Sequence, residues 1–174
     1  GNATAIKLPA IAESYGFETL RTDYEGELAV IIGKKCKNVA PEKALDYVYG
    51  YTIANDVSQR NIQNADKSGW FRGKSFDTFL PLGPEVLLKE DVADIQNLRL
   101  TTRLNGIPVQ DSNTGMMIFP VKELVSFLSR NFTLEAGDII LTGTPSGVGE
   151  LHVGDSVEIE IEQIGILRNT VEKE

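Results

Sequence analysis

Histidine and cysteine are nearly missing from this chain of 174 residues: there is one of each, and a single tryptophan. A lone cysteine, Cys36, cannot close an internal disulfide, which leans toward a reducing, cytoplasmic compartment. Its lysine-rich setting, "KKCKN", could lower the thiol pKa; with no histidine nearby in sequence, an incidental surface thiol is the simpler expectation. The one histidine, His152, stands before a Gly-Asp turn and reads as a surface residue rather than a ligand. Positive charge is also scarce. A net charge of −8 and a pI near 4.8 argue against a nucleic-acid partner, whose phosphates would be repelled. No apolar run approaches the roughly 20 residues needed to cross a bilayer, so no membrane partner is expected. Repeats, linkers and low-complexity segments are absent. Gly1 stands where an initiator methionine would, without a signal-peptide pattern, so the expectation is a processed, tagged or truncated version of something longer.

What is present is strand. "DYEGELAVIIG" carries a short, β-branched apolar run closed by glycine, the pattern of a buried strand over residues 24–33. "VAPEKALDYVYGY" predicts a helix with Pro41 in its first turn and Gly50 just past its end. "YTIAND" is a short strand, followed by a helix for which Asp56 would be the cap and Gln59 the residue three further on. Residues 64–75 read as a loop, and 77–88, with two prolines and a glycine, as broken strand and turn. Leu98, Leu100, Thr102 and Leu104 alternate ahead of Asn105-Gly106, a hairpin signal. Pro120 opens an amphipathic helix with Val121, Leu124, Val125 and Leu128 on one face. A short strand and the glycine-rich "LTGTPSGVG" follow, then alternation at Val157, Ile159 and Ile161. The fold class expected is α+β, rich in β, with curved mixed sheets and a few short helices.

Two acids stand at the mouth of the first buried strand. Residues i and i+2 of a strand face the same way, so Glu25 and Glu27 project side by side. Like charges so placed repel, and a hard divalent cation such as Mg²⁺ or Mn²⁺ would remove that cost. Taken alone, Glu-x-Glu fits a solvated strand face at least as well. Asp56, at the end of a strand, adds a third acid, with a plain helix cap as its other reading. Arg60 and Gln63 follow at helical spacing, and Arg binds carboxylates bidentately. In "WFRGKSFDTFLPLGP", Trp70, Phe71, Phe76 and Phe79 surround Arg72, Lys74 and Asp77. The segment is either a packed aromatic loop with a Lys74–Asp77 pair or a pocket lined by the Lys74 cation. "LTGTPSGVG" has amides free to cradle an anion, but lacks the Gly-Lys-Ser/Thr of a Walker loop.

In order and together, "DYEGELAVIIG", "GYTIANDVSQR", "RGKSFDTFLPLGP", "NG" followed by "DSNTGMMIF", "LEAGDIILTGTPSGVG" and "VGDSVEIEIEQIGILRN" resemble the fumarylacetoacetate hydrolase superfamily over roughly residues 23–169. The resemblance implies a mixed β-sandwich roll of the type of that family's C-terminal domain, usually in a homodimer. Residues 1–22 would be a remnant of an N-terminal segment and 23–174 a single catalytic domain. It implies Mg²⁺ or Mn²⁺ held by Glu25, Glu27 and Asp56. Arg60, Gln63 and Lys74 would be the catalytic and substrate-lining residues, and Thr144 would contact a substrate carboxylate. The substrates implied are small 2-oxo or 2-hydroxy-dienoic (di)carboxylic acids, whose enolate the metal stabilises.

One departure is plain. The family's hydrolytic members activate water with a His and a Glu near the N-terminus, and here no histidine precedes His152. That favours an isomerase or tautomerase, of the 2-hydroxyhepta-2,4-diene-1,7-dioate isomerase kind, or a decarboxylase. Two alternatives stand beside it: a C–C hydrolase of acylpyruvates using a base outside this chain, and a non-catalytic binder of small acids.

Overall fold

The computed structural model describes residues 4–65, 67 and 70–174, with the backbone alone at 11–13. Twelve strands and four α-helices follow in chain order: β1 (Ile6–Leu8), β2 (Thr22–Tyr24), β3 (Gly26–Ile32), α1 (Pro41–Ala44), β4 (Val48–Asn55), β5 (Ser58–Gln59), α2 (Arg60–Ala65), α3 (Phe71–Lys74), β6 (Leu82–Leu88), β7 (Arg99–Leu104), β8 (Ile107–Asn113), α4 (Val121–Asn131), β9 (Ile139–Leu141), β10 (Gly149–Glu150), β11 (Ser156–Ile161) and β12 (Gly165–Lys173). They build a five-stranded sheet in the order β1-β12-β11-β7-β8, a four-stranded sheet β6-β4-β3-β9 and a three-stranded sheet β10-β2-β5. Every pairing is antiparallel except β1 with β12. This is the strand-rich α+β domain with mixed sheets expected from the patterning.

The two larger sheets face one another, with β4 and β6 against β11 and β12. One apolar cluster fills the space between them: Leu28, Val30 and Ile53 from one side, Leu100, Ile159, Ile161 and Leu167 from the other. The alternation in β11 is what such a sheet requires, since Val157, Ile159 and Ile161 are buried while the residues between them are partly exposed. Helix α4 turns Val121 and Val125 into the core, and Asn105 and Gly106, at φ 52° and 80°, close the β7–β8 hairpin.

Three local expectations are corrected. The helix that starts at Pro41 ends at Ala44; a 3₁₀ turn covers Leu45–Tyr47 and β4 begins at Val48. Gly50 is therefore a strand residue paired with Leu88 and not a helix terminator. Strand pairing with β3 and β6 outweighs the local glycine signal. Asp56 is not the cap of α2. Ser58 and Gln59 pair with Asp23 and Thr22, so the helix starts at Arg60 and the Gln59 side chain accepts from the Ile62 amide at 2.9 Å. Cys36 is buried rather than a surface thiol. It pairs through its backbone with Leu134, and burial pushes its pKa up, with Asp138 adding to the effect.

Candidate metal and substrate site

The site is built where the four-stranded and three-stranded sheets meet. Glu25 lies in the step between β2 and β3, Glu27 is the second residue of β3, and Asp56 follows the last residue of β4. Gly26 pairs with Asn55 across β3 and β4, which places Asp56 beside the two glutamates. Asn55 fastens the step, its side-chain oxygen accepting from the Glu25 amide at 2.9 Å. One oxygen from each of Glu25, Glu27 and Asp56 lies within 4.8 Å of the others. All three residues are buried.

Two cations meet these acids from α2 and α3. Arg60 donates from Nη2 to Glu25 Oε1 at 2.5 Å, from Nη1 to Gln63 Oε1 at 3.0 Å and from Nε to Asp23 Oδ2 at 2.9 Å. Lys74 Nζ donates to Glu25 Oε2 at 3.0 Å and also to Asp56 Oδ2. Helix α3 can lie this close to α2 because residue 73 is glycine: a Cβ there would sit 2.7 Å from Gln63 Cβ. Both cations lose solvation in the cleft, yet the carboxylates they touch raise their pKa values, so both stay charged.

Glu27 differs from its neighbours. No cation lies within ion-pair distance of it among the described residues, and its one direct donor is the Gly143 amide, 2.7 Å from Oε2. Burial, reinforced by the charges of Asp56 and Glu25, pushes its carboxyl up to about 7. Asp56 is also raised by burial, with Lys74 opposing the rise.

The resulting cleft, of about 480 Å³, is lined by Glu25, Glu27, Asp56, Arg60, Gln63 and Lys74, and closed on one wall by Leu141, Gly143 and Thr144. Every residue expected at a site from the sequence is thus in one place. Thr144 carries a condition. Its hydroxyl donates to Gly26 O at 3.0 Å, so a substrate carboxylate would compete with that carbonyl for the hydrogen. Lys74 is the pocket cation, not the partner of Asp77. The aromatic cluster is only partly formed: Phe76 and Phe79 pack edge to face at 5.5 Å, while Trp70 and Phe71 are exposed, Trp70 at the cleft. The loop expected over residues 64–75 is corrected in part: residues 64 and 65 end α2, and Phe71–Lys74 form the short helix α3, packed on α2 through Gly73; residues 66, 68 and 69 lie outside the described residues.

Other functional neighbours had no strong sequence signal. Asp23 is buried and clamped by Arg21 and Arg60, so it aims Arg60. Only its place two residues before Glu25, on the same strand face, hinted at it. Gly143 was visible as part of a glycine-rich loop, but not as the donor to Glu27. His152 is exposed in the turn after β10, its amide donating to Asp155 Oδ2 at 2.7 Å, and it does not line the cleft.

Known proteins share this arrangement of elements. A protein of Archaeoglobus fulgidus is 52% identical over 173 residues, 99% of this chain and 65% of its own. The Bacillus subtilis protein named oxaloacetate tautomerase YisK is 45% identical over 168 residues, 92% of this chain and 56% of its own. The crystal structure of 5-carboxymethyl-2-hydroxymuconate delta-isomerase from Mycobacterium smegmatis superposes with a TM-score of 0.90 at 41% identity, covering 99% of this chain and 64% of that one. The chain therefore spans somewhat more than half, and less than two thirds, of the length of each of these proteins. The family model for the C-terminal domain of fumarylacetoacetate hydrolase matches residues 1–172, and the chain belongs to that family.

Proposed function

We propose that the chain carries the catalytic domain of a divalent-metal-dependent isomerase or tautomerase of small 2-oxo and 2-hydroxy-dienoic carboxylic acids. The relatives named for oxaloacetate tautomerisation and for carboxymethyl-hydroxymuconate isomerisation support this class of chemistry. The observation that carries it is the state of Glu27. A buried carboxylate beside two others, with no cation against it, leaves negative charge uncompensated. Three hard oxygen donors within 4.8 Å of one another fit Mg²⁺ or Mn²⁺, which Glu25, Glu27 and Asp56 would hold. When bound, such an ion supplies Lewis-acid polarisation of a keto or enol oxygen.

The chain's own residues do the rest. Arg60 uses three of its donor nitrogens on Asp23, Gln63 and Glu25, and this fixes the guanidinium plane at the cleft. Its two remaining N–H hydrogens can take a substrate carboxylate. Gln63 keeps its amide nitrogen for the substrate because its oxygen is engaged by Arg60. Lys74 keeps one N–H beyond those given to Glu25 and Asp56, and as a charged ammonium it can donate that hydrogen bond to an anionic substrate oxygen. Hydrolysis would also need a base to activate water, and the chain's single histidine lies away from the cleft. The assembly we propose is a homodimer, for which the exposed Met116, Ile118, Phe119 and Phe127 offer apolar surface.

The test is the enol–keto exchange of oxaloacetate, followed by ultraviolet absorbance with and without Mg²⁺ or Mn²⁺. Metal-dependent acceleration that disappears in Glu27→Gln is expected; carbon dioxide release in the same assay would extend the reading to decarboxylation. A background rate at saturating concentrations of both metals would overturn it.

A further inference from the structure

We infer that Gln110, which lies outside the cleft, is a positioning residue for the carboxylate cluster, and that it works by clasping the Gly143–Pro145 wall to the peptide between Glu25 and Glu27. The inference rests on the metal-site reading above.

Gln110 is on β8, in the five-stranded sheet, and is only 2% exposed. All three hydrogen bonds found for its amide reach the site's framework. Its Oε1 accepts from the Gly26 amide at 3.2 Å. Its Nε2 donates to Thr144 Oγ1 at 2.8 Å and to Pro145 O at 2.9 Å. Thr144 closes the ring by donating to Gly26 O at 3.0 Å. The Gly26 peptide, flanked by Glu25 and Glu27, is therefore held at both its N–H and its C=O, once directly and once through Thr144. The same wall segment supplies the Gly143 amide that holds Glu27 Oε2 at 2.7 Å. One side chain thus sets the separation between β3, which carries Glu27, and the loop that orients it.

The residue type fits the task. A side-chain amide offers an acceptor and a two-hydrogen donor on one rigid plane, so it can bridge a backbone N–H, a hydroxyl and a carbonyl at once. Leucine or methionine would fill the volume but leave Pro145 O and the Gly26 N–H without these partners. Glutamate would keep the bond to Gly26 and turn both donations into oxygen–oxygen contacts. Outer partners of this kind typically change metal affinity or activity by about 10–100-fold when removed.

The experiment measures Mn²⁺ dissociation constants by calorimetry on the folded protein, alongside melting temperatures, for the wild type, Gln110→Ala, Gln110→Glu and Ser126→Ala. Ser126, on α4, is the control: its buried hydroxyl donates to Val39 O ahead of α1, away from the cleft. The expected result is Mn²⁺ affinity weakened about 10-fold or more in both Gln110 variants, with Ser126→Ala lowering only the melting temperature. Thr144→Val, which removes the hydroxyl that links Gln110 Nε2 to Gly26 O, should resemble Gln110→Ala. If one Gln110 variant fails to fold, the other and Thr144→Val carry the test. Wild-type affinity in folded Gln110 variants, whatever their melting temperature, would reduce Gln110 to ordinary structural packing and overturn the inference alone. A wild type that binds no Mn²⁺ would overturn the metal-site reading, and this inference with it.

Discussion

Glu27 sits 3% exposed with one backbone amide and two like-charged neighbours for company, so in the metal-free protein its ionised form is the costly one. A folded-state pKa of about 7, above the ordinary glutamate value of 4.5, means that the folded chain binds more protons than the unfolded one between those limits. Stability should therefore fall as pH rises through that window, by roughly 3 kcal/mol from this group alone. The difference in urea-unfolding free energy between the wild type and Glu27→Gln, plotted against pH without metal, isolates it. A flat difference from pH 5 to 8 would show that Glu27 does not titrate there. The same substitution makes a second prediction. Gln keeps an oxygen to accept from Gly143 and carries no charge, so metal-free Glu27→Gln should melt higher than the wild type at pH 8 while losing its stabilisation by Mn²⁺. A variant that melts lower, or keeps the Mn²⁺ response, would place the metal elsewhere.

Among the elements, β4 decides most. It runs from Val48 to Asn55 between β3 and β6, and delivers Asp56 to the cluster at its end. Gly50 is the tight point: a Cβ there would lie 2.5 Å from the Leu87 carbonyl oxygen. Gly50→Ala must push β6 away from β4 and should cost about 1–3 kcal/mol in chemical denaturation. A loss below a few tenths of a kcal/mol would show that β6 yields freely. At this scale the sequence was legible where period and turn chemistry agreed, as in the β7–β8 hairpin, β11 and α4. It misled where a local signal met a non-local pairing. Gly50 resembles a helix stop and Asp56 a helix cap, yet the hydrogen bonds that β3, β6 and β2 offer to these segments settle their structure.

At the scale of the whole molecule, one apolar cluster among the described residues joins β1 to β12, so the sheets share a core. Calorimetry should show a single transition without metal; two resolved transitions would contradict a shared core. Mg²⁺ with oxalate, a planar mimic of a 2-oxo acid enolate, should raise the melting temperature. At about a hundred times the dissociation constant, the gain is roughly 2.7 kcal/mol, or on the order of 5–10 °C for a chain of this size. Oxalate or metal added singly should do less than the pair. An equal shift from metal alone would mean that oxalate is not bound at the ion.

The sequence by itself determined the strand-rich class and the acidic and disulfide-free character, which rest on side-chain chemistry and short-range period. Which of its acids, cations and hydroxyls belong together was implied by the family resemblance and not by those local patterns. Glu25 and Glu27 could be paired on paper because a strand has a two-residue repeat, and Arg60 and Gln63 because a helix has its own. Tertiary structure alone decided what stands against what. Nothing in the order of residues says that Lys74 reaches Glu25 and Asp56, that Gly143 holds Glu27, that Asp23 aims Arg60, or that Gln110 ties the wall to Gly26. Those partners lie between 18 and 116 positions apart, and only the packing of the sheets brings them within a hydrogen bond.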